Sequence, residues 1–389
     1  MLTEAAYVRR TAGPDGRTAV GRHEEMCDDA RTMSHDAALT PFAARPLAAV
    51  PLDPASADAP QVTHRPGRGL LLVQRGDTEL AVRDLRRQEA ETRFPAPWPR
   101  RYGSVAVSPA GDVAVFAGVH ALRAVDPAGA VRWEIRHGCW SAAECAEAHA
   151  SFSEYADDHD HDHADSGSAA FSSDGKLLWA HIRTYEGHDI KEEWLVIDPV
   201  DGMVLARAET MTVGSGSIHF PHPDPAYMGL TVAEGEEDSP VLWGHWDGAT
   251  FTVRRFAEEV LLAVSPSGEH FLTTDPGQWT LYLRRGEDGT ELRRLDADAA
   301  VPPVSSGDGD RVRWDHEAAF PYDEVAVVGT ECHAETPRHW LVDRRTMALR
   351  GRVVYPFPVS GSPRSAGEGA WYTISEDRTT LHLWRLPHE

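Results

Sequence analysis

The chain has 389 residues, 41% of them hydrophobic, with 38 basic and 61 acidic side chains and a formal charge of −23. That apolar content supports a packed core and argues against general disorder, while the acidity repels phosphate backbones and sets nucleic acid and anionic membranes aside as expected partners. No run approaches the roughly 20 apolar residues of a membrane helix, the first residues lack the apolar centre of a secretory signal, and four cysteines are too few for a disulfide scaffold, so reduced thiols and a cytoplasmic location are expected.

From the N-terminus, residues 1–43 are polar and without sustained periodicity, and are expected to form a partly disordered extension. A lone strand-like segment, Ala44–Leu52, precedes a Pro/Asp/Ala linker. From there a phrase recurs: apolar strand, Ser-Pro-x-Gly-type turn, second apolar strand. It reads VAVSPAGDVAVFAG at Val105–Gly118, AAFSSDGKLLWAH at Ala169–His181 and LLAVSPSGEHFLTT at Leu261–Thr274. Two more strands follow each copy, as in LRAVDPAGAVRWEIR after Ala121 and TLYLRRGEDGTELRRL after Trp279.

Four short strands repeated every 40 to 60 residues or so define a propeller blade, because one blade cannot bury both faces alone and must stack on neighbours. Aligned turns give seven units, beginning near Gln61, Gly103, Gly167, Gly216, Glu259, Arg311 and Gly361. The last has room for only three strands, and Ala44–Leu52 is its natural fourth, pairing with Thr380–Leu386 and removing two free edges. The expected fold is all-β: one seven-bladed β-propeller of four-stranded antiparallel blades over residues 44–389, closed by the N-terminal strand.

The repeat resembles the WD-repeat and related bacterial seven-bladed propellers over roughly Ala44 to Pro387. It is a likeness of pattern: the Gly-His and Trp-Asp dipeptides of that family are absent at the expected blade positions, and Gly244-His245 and Trp246-Asp247 stand side by side in unit four. Most members of that family are binding platforms without chemistry, and some relatives in propeller space are lyases or hydrolases. The resemblance therefore implies a platform docking a protein or peptide, with an enzyme as the alternative.

Between units two and three an insertion, His137–Gly167, breaks the repeat and should lie over the channel mouth. Ser141-Ala-Ala-Glu144 is a capping box and predicts a short helix to about Tyr155. On it Cys145 and His149 would share a face, with His137 and Cys139 just ahead, and two thiolates with two imidazoles match the tetrahedral preference of zinc. A metal-binding propeller is thus a third reading. The following run Asp157–Asp165, DDHDHDHAD, reads as a solvated loop.

Four units open with Gly-Ser, at Gly103, Gly167, Gly216 and Gly361, where inner strands crowd the axis. Two residues after those serines the units carry Ala106 and Ala170, but unit four has His219 and unit seven Arg364, and unit six interrupts its inner strand with Trp314-Asp315-His316-Glu317. His219, His316 and Arg364 are the candidate catalytic set, expected to meet at one end of the channel. Three loops, Thr184–Glu193, Ala233–Pro240 and Glu331–Arg338, would make one rim acidic and suited to a basic partner.

Overall fold

The computed structural model describes residues 40–387 apart from 55–57, 87–90, 142–144, 146, 162–165, 187–188, 235–238, 303–310 and 332–337. Seven sheets follow one another along the chain, each built on four antiparallel strands that are successive in sequence, except that the seventh takes its outer strand from the N-terminal side and the sixth gains a short fifth strand from there. Inner strands start at Gln61, Gly103, Ala169, Gly216, Val260, Arg313 and Val359, within two residues of the expected starts. In blade seven, Arg45–Pro51 pairs antiparallel with Thr380–Arg385, from Arg45 opposite Arg385 to Pro51 opposite Thr380. The ring closes as the orphan-strand argument requires. Most of the expected extension lies outside the described residues. Its last part does not: Phe42–Ala43 runs parallel to the outer strand of blade six, opposite Val353 and Val354.

The recurring turn has a common hydrogen-bond plan. Gly111, Gly175 and Gly268 all have φ between +74° and +77°, a conformation glycine adopts without strain. Their N–H groups donate to the carbonyls of Ser108, Ser172 and Ser265. In each turn the serine hydroxyl also accepts an N–H from the returning strand: Val113 at 3.2 Å, Leu177 at 3.0 Å and His270 at 3.1 Å. Serine and glycine therefore recur because together they satisfy the backbone of a tight hairpin.

Apolar side chains alternate along the strands and form separate clusters between neighbouring blades. Val115, Leu122 and Ala124 of blade two meet Leu178, Ala180 and Leu195 of blade three, and Trp179 and Trp194 of blade three meet Met228, Leu230 and Leu242 of blade four. Val327, Leu341 and Val353 of blade six meet Trp371 and Trp384 of blade seven. Each blade thus depends on its neighbours for the burial of its faces.

Thr184–Glu193 is not a loop. The second and third strands of blade three run on to Glu186 and back from Asp189, as a hairpin in register throughout. Period-2 geometry then sends Glu192 into the protein, where it is fully buried. Its carboxylate accepts from Arg183 Nη2 at 3.0 Å, Gly214 N at 2.8 Å and Thr212 Oγ1 at 2.7 Å, and lies 3.3 Å from His181 Nε2. Burial alone would push this carboxyl up. The adjacent His181 first, and then the hydrogen bonds from Thr212 and Gly214, outweigh that and hold it at about 2.

Candidate metal centre

The insertion leaves the outer strand of blade two along the hairpin of that blade. His137 N donates to His120 O at 2.9 Å, Gly138 N to Arg183 O at 2.7 Å and Trp140 N to Val119 O at 3.0 Å. Trp140 is fully buried, with the Arg183 guanidinium 4.4 Å from its ring centre and Arg183 Nη1 donating to its carbonyl at 2.7 Å. Tyr155 returns the loop onto the same core, among Trp98, Tyr102, Val119 and Cys139, and its hydroxyl lies 2.7 Å from His120 Nδ1. The insertion is therefore packed on blades one to three rather than draped over them.

The continuous helix expected over Ser141–Tyr155 does not form. Cys145 N donates to Ser141 O at 2.8 Å, and Glu147–His149 have no regular structure. Two short 3-10 turns follow, Phe152–Glu154 and His159–His161. The capping-box pattern lost to tertiary packing: Cys139, Trp140 and Tyr155 are buried against the blades, and a loop serves them better than one helix face does.

This path brings four donors together: Cys139, Cys145, His149 and His161, with one ligand atom of each within 4.8 Å of all the others. Cys139 Sγ is 3.3 Å from His161 Nε2, and Cys145 Sγ is 3.3 Å from His149 Nε2. On the far side of His161, Nδ1–H donates to Asp158 Oδ2 at 3.1 Å, and His149 Nδ1 lies 3.6 Å from Glu154 Oε2. With its proton on Nδ1, His161 keeps an Nε2 lone pair facing the Cys139 thiol. The Tyr185 hydroxyl bonds the carbonyls of Cys139 at 2.9 Å and Cys145 at 3.0 Å, fixing both cysteine backbones. Ser141 N donates to Cys139 Sγ at 3.4 Å, and Ser141 Oγ donates to Asp160 O at 3.0 Å, joining the two arms. Burial pushes the Cys139 thiol up to about 12.

Three of the four residues expected from the sequence are in this group, and His137 is not. Its Nδ1 lies 2.8 Å from the neighbouring carbonyl of Gly138, and burial holds the ring down at about 4. The fourth donor is His161, from the Asp/His tract read as solvated. Its side chain is 2% exposed and its ring stacks on Tyr155 with centres 4.9 Å apart. Alternation with aspartate concealed it, because one buried histidine in a polar run leaves no trace in composition.

Of the candidate catalytic residues, His219 and Arg364 are each engaged in structural contacts. His219 has both ring nitrogens engaged: Trp194 Nε1 donates to Nε2 at 2.9 Å, and Nδ1 lies 2.7 Å from Ser168 Oγ. Burial, seconded by His181, holds its pKa well below 6.5. Arg364 pairs with Glu317 of the adjacent blade and lies beside Tyr372. His316 is exposed, at a bulge between Trp314 and Ala318. Among the described residues no hydrogen bond or ion pair joins any two of the three. Of the expected acidic rim, Glu193 and Glu234 pair with Arg207 and Arg255, while His188 and Cys332-His333 lie outside the described residues.

Sequence-derived comparison adds nothing: no family model and no curated protein matches the chain. Solved structures do match, and the class of fold they define together with the blades is the seven-bladed β-propeller. One chain of a mitotic checkpoint complex is 11% identical, with a TM-score of 0.54 over 95% of this chain and 99% of that one. U3-55K is 10% identical, with a TM-score of 0.52 over 88% of this chain and all of that one. A chain from the complex of BBS1N with ARL6DN is 10% identical, with a TM-score of 0.50 over 90% and 98%. At such identities the likeness is one of fold.

Proposed function

We propose that the protein is a binding platform that docks a basic protein or peptide segment. The observation that carries this reading is the state of the inner-strand polar residues. His219 spends both nitrogens on Ser168 and Trp194, and Arg364 is neutralised by Glu317. Groups held this way stiffen blade contacts and have no free valence for proton transfer. Two of the structural neighbours come from protein complexes, a precedent this reading draws on. The formal charge of −23 selects a cationic segment over an anionic one. Two free thiols within 4.8 Å of each other suit a reducing compartment.

The test is fluorescence anisotropy of labelled basic, neutral and acidic peptide pools against the full chain, at about 0.05 M and about 0.5 M salt. Preferential capture of basic peptides, weakened by salt, is the expected result. Equal binding of all three pools, or none, overturns the reading.

A further inference from the structure

We propose that Cys139, Cys145, His149 and His161 bind one zinc ion in a closed tetrahedral site that fastens the insertion to blades one to three. The inference is independent of the docking reading, since it concerns what the insertion holds and not what the ring captures.

The donor set is the first argument. Zinc bonds of about 2.3 Å to sulfur and about 2.1 Å to nitrogen make a tetrahedron whose edges are about 3.3 to 3.8 Å. The two S···N separations are both 3.3 Å, and no donor pair exceeds 4.8 Å. Slight widening of the two S···N pairs and shortening of the longer separations place an ion at bonding distance from all four. Two soft thiolates with two imidazoles select zinc over magnesium, calcium or manganese. Four protein donors leave no position for water, which marks a structural site and not a catalytic one.

The surroundings are the second argument. Metal-binding histidines characteristically donate the far nitrogen to a carboxylate, which fixes the tautomer and raises ligand basicity. Asp158 stands 3.1 Å from His161 Nδ1 and Glu154 stands 3.6 Å from His149 Nδ1. The N–H of Ser141 directed at Cys139 Sγ stabilises negative charge on that sulfur. Without an ion, the donor atoms of two thiols and two imidazoles from residues 139 to 161 would face one another through weak S–H···N contacts alone, although Tyr185, Ser141 and Asp158 position the groups that carry them. An ion supplies what the loop lacks, since among its described residues it has little regular structure between Trp140 and Phe152.

The experiment is elemental analysis of the full chain, expressed with added zinc, purified without an affinity tag and dialysed. About one zinc per chain is expected. Cys139→Ser with Cys145→Ser, and His161→Ala alone, should each lower it at least tenfold, while His137→Ala and His159→Ala should retain it. The last variant guards against adventitious loading of the Asp/His tract. Because a ligand variant can fail by misfolding, the unaltered protein is also exchanged with cobalt, whose thiolate charge-transfer and tetrahedral ligand-field bands report two sulfurs in the first coordination sphere. A metal-free parent, unchanged zinc in the double serine variant, loss of zinc in His137→Ala equal to that in His161→Ala, or cobalt without thiolate bands each overturns the proposal.

Discussion

Glu192→Gln should destabilise the propeller in a way that depends on pH. The carboxylate is fully buried and takes hydrogen bonds from Arg183, Thr212 and Gly214 N–H, with His181 close by. Its folded pKa of about 2 lies below the ordinary 4.5, so its contribution is complete above pH 4.5 and is lost as pH falls through 2. The gap corresponds to about 3 kcal/mol at pH 7, of which less than half remains at pH 3. The glutamine cannot titrate, turns an N–H toward donors, and leaves Arg183 buried without its anion, which adds to the cost at neutral pH. Urea unfolding of parent and variant, followed by both tryptophan fluorescence and far-UV circular dichroism, should show a stability difference of about 3 kcal/mol or more at pH 7. That difference should shrink by about 2 kcal/mol at pH 3. A difference below about 1 kcal/mol at pH 7, or one that is the same at both pH values, would refute the reasoning.

Deleting residues through Pro54 removes the strand that closes blade seven and should lower the melting temperature sharply, whereas deletion through His35 should leave it nearly unchanged; equal effects would contradict the closure. His219→Ala strands Trp194 Nε1 and leaves Ser168 Oγ with Ser217 alone, and should cost on the order of 2 kcal/mol, read from denaturation midpoints. Arg364→Ala breaks an ion pair whose two side chains are each about one third exposed, at 32% and 35%, and should cost under about 1 kcal/mol; the reverse order would mean that the roles are misassigned.

The ring was legible because its signal is local and repeated. A serine and a glycine at fixed offsets close the first hairpin of blades two, three and five, as at Ser108 and Gly111, and these three copies set the register for the rest. The closing strand was legible by subtraction, from a unit one strand short and a strand without a sheet. The interior of blade three was not. Lys191-Glu192-Glu193 has the composition of a surface loop, and only its place in a long hairpin puts Glu192 inside. The donor cluster lies between these cases. Cys139, Cys145 and His149 stand out by density, but choosing His161 over His137 requires knowing that the chain doubles back at Tyr155. No period encodes that return, because it depends on contacts between residues far apart in sequence. For the same reason the Ser141 capping box predicted a helix that packing of Trp140 and Tyr155 overrides.

The most direct test of the account is anomalous scattering from crystals of the tag-free protein, with data on both sides of the zinc absorption edge. One peak per chain is predicted, bonded to Cys139 Sγ, Cys145 Sγ, His149 Nε2 and His161 Nε2. A difference map with no peak there, or with its only peak among the remaining residues of the Asp157–Asp165 tract, would contradict it.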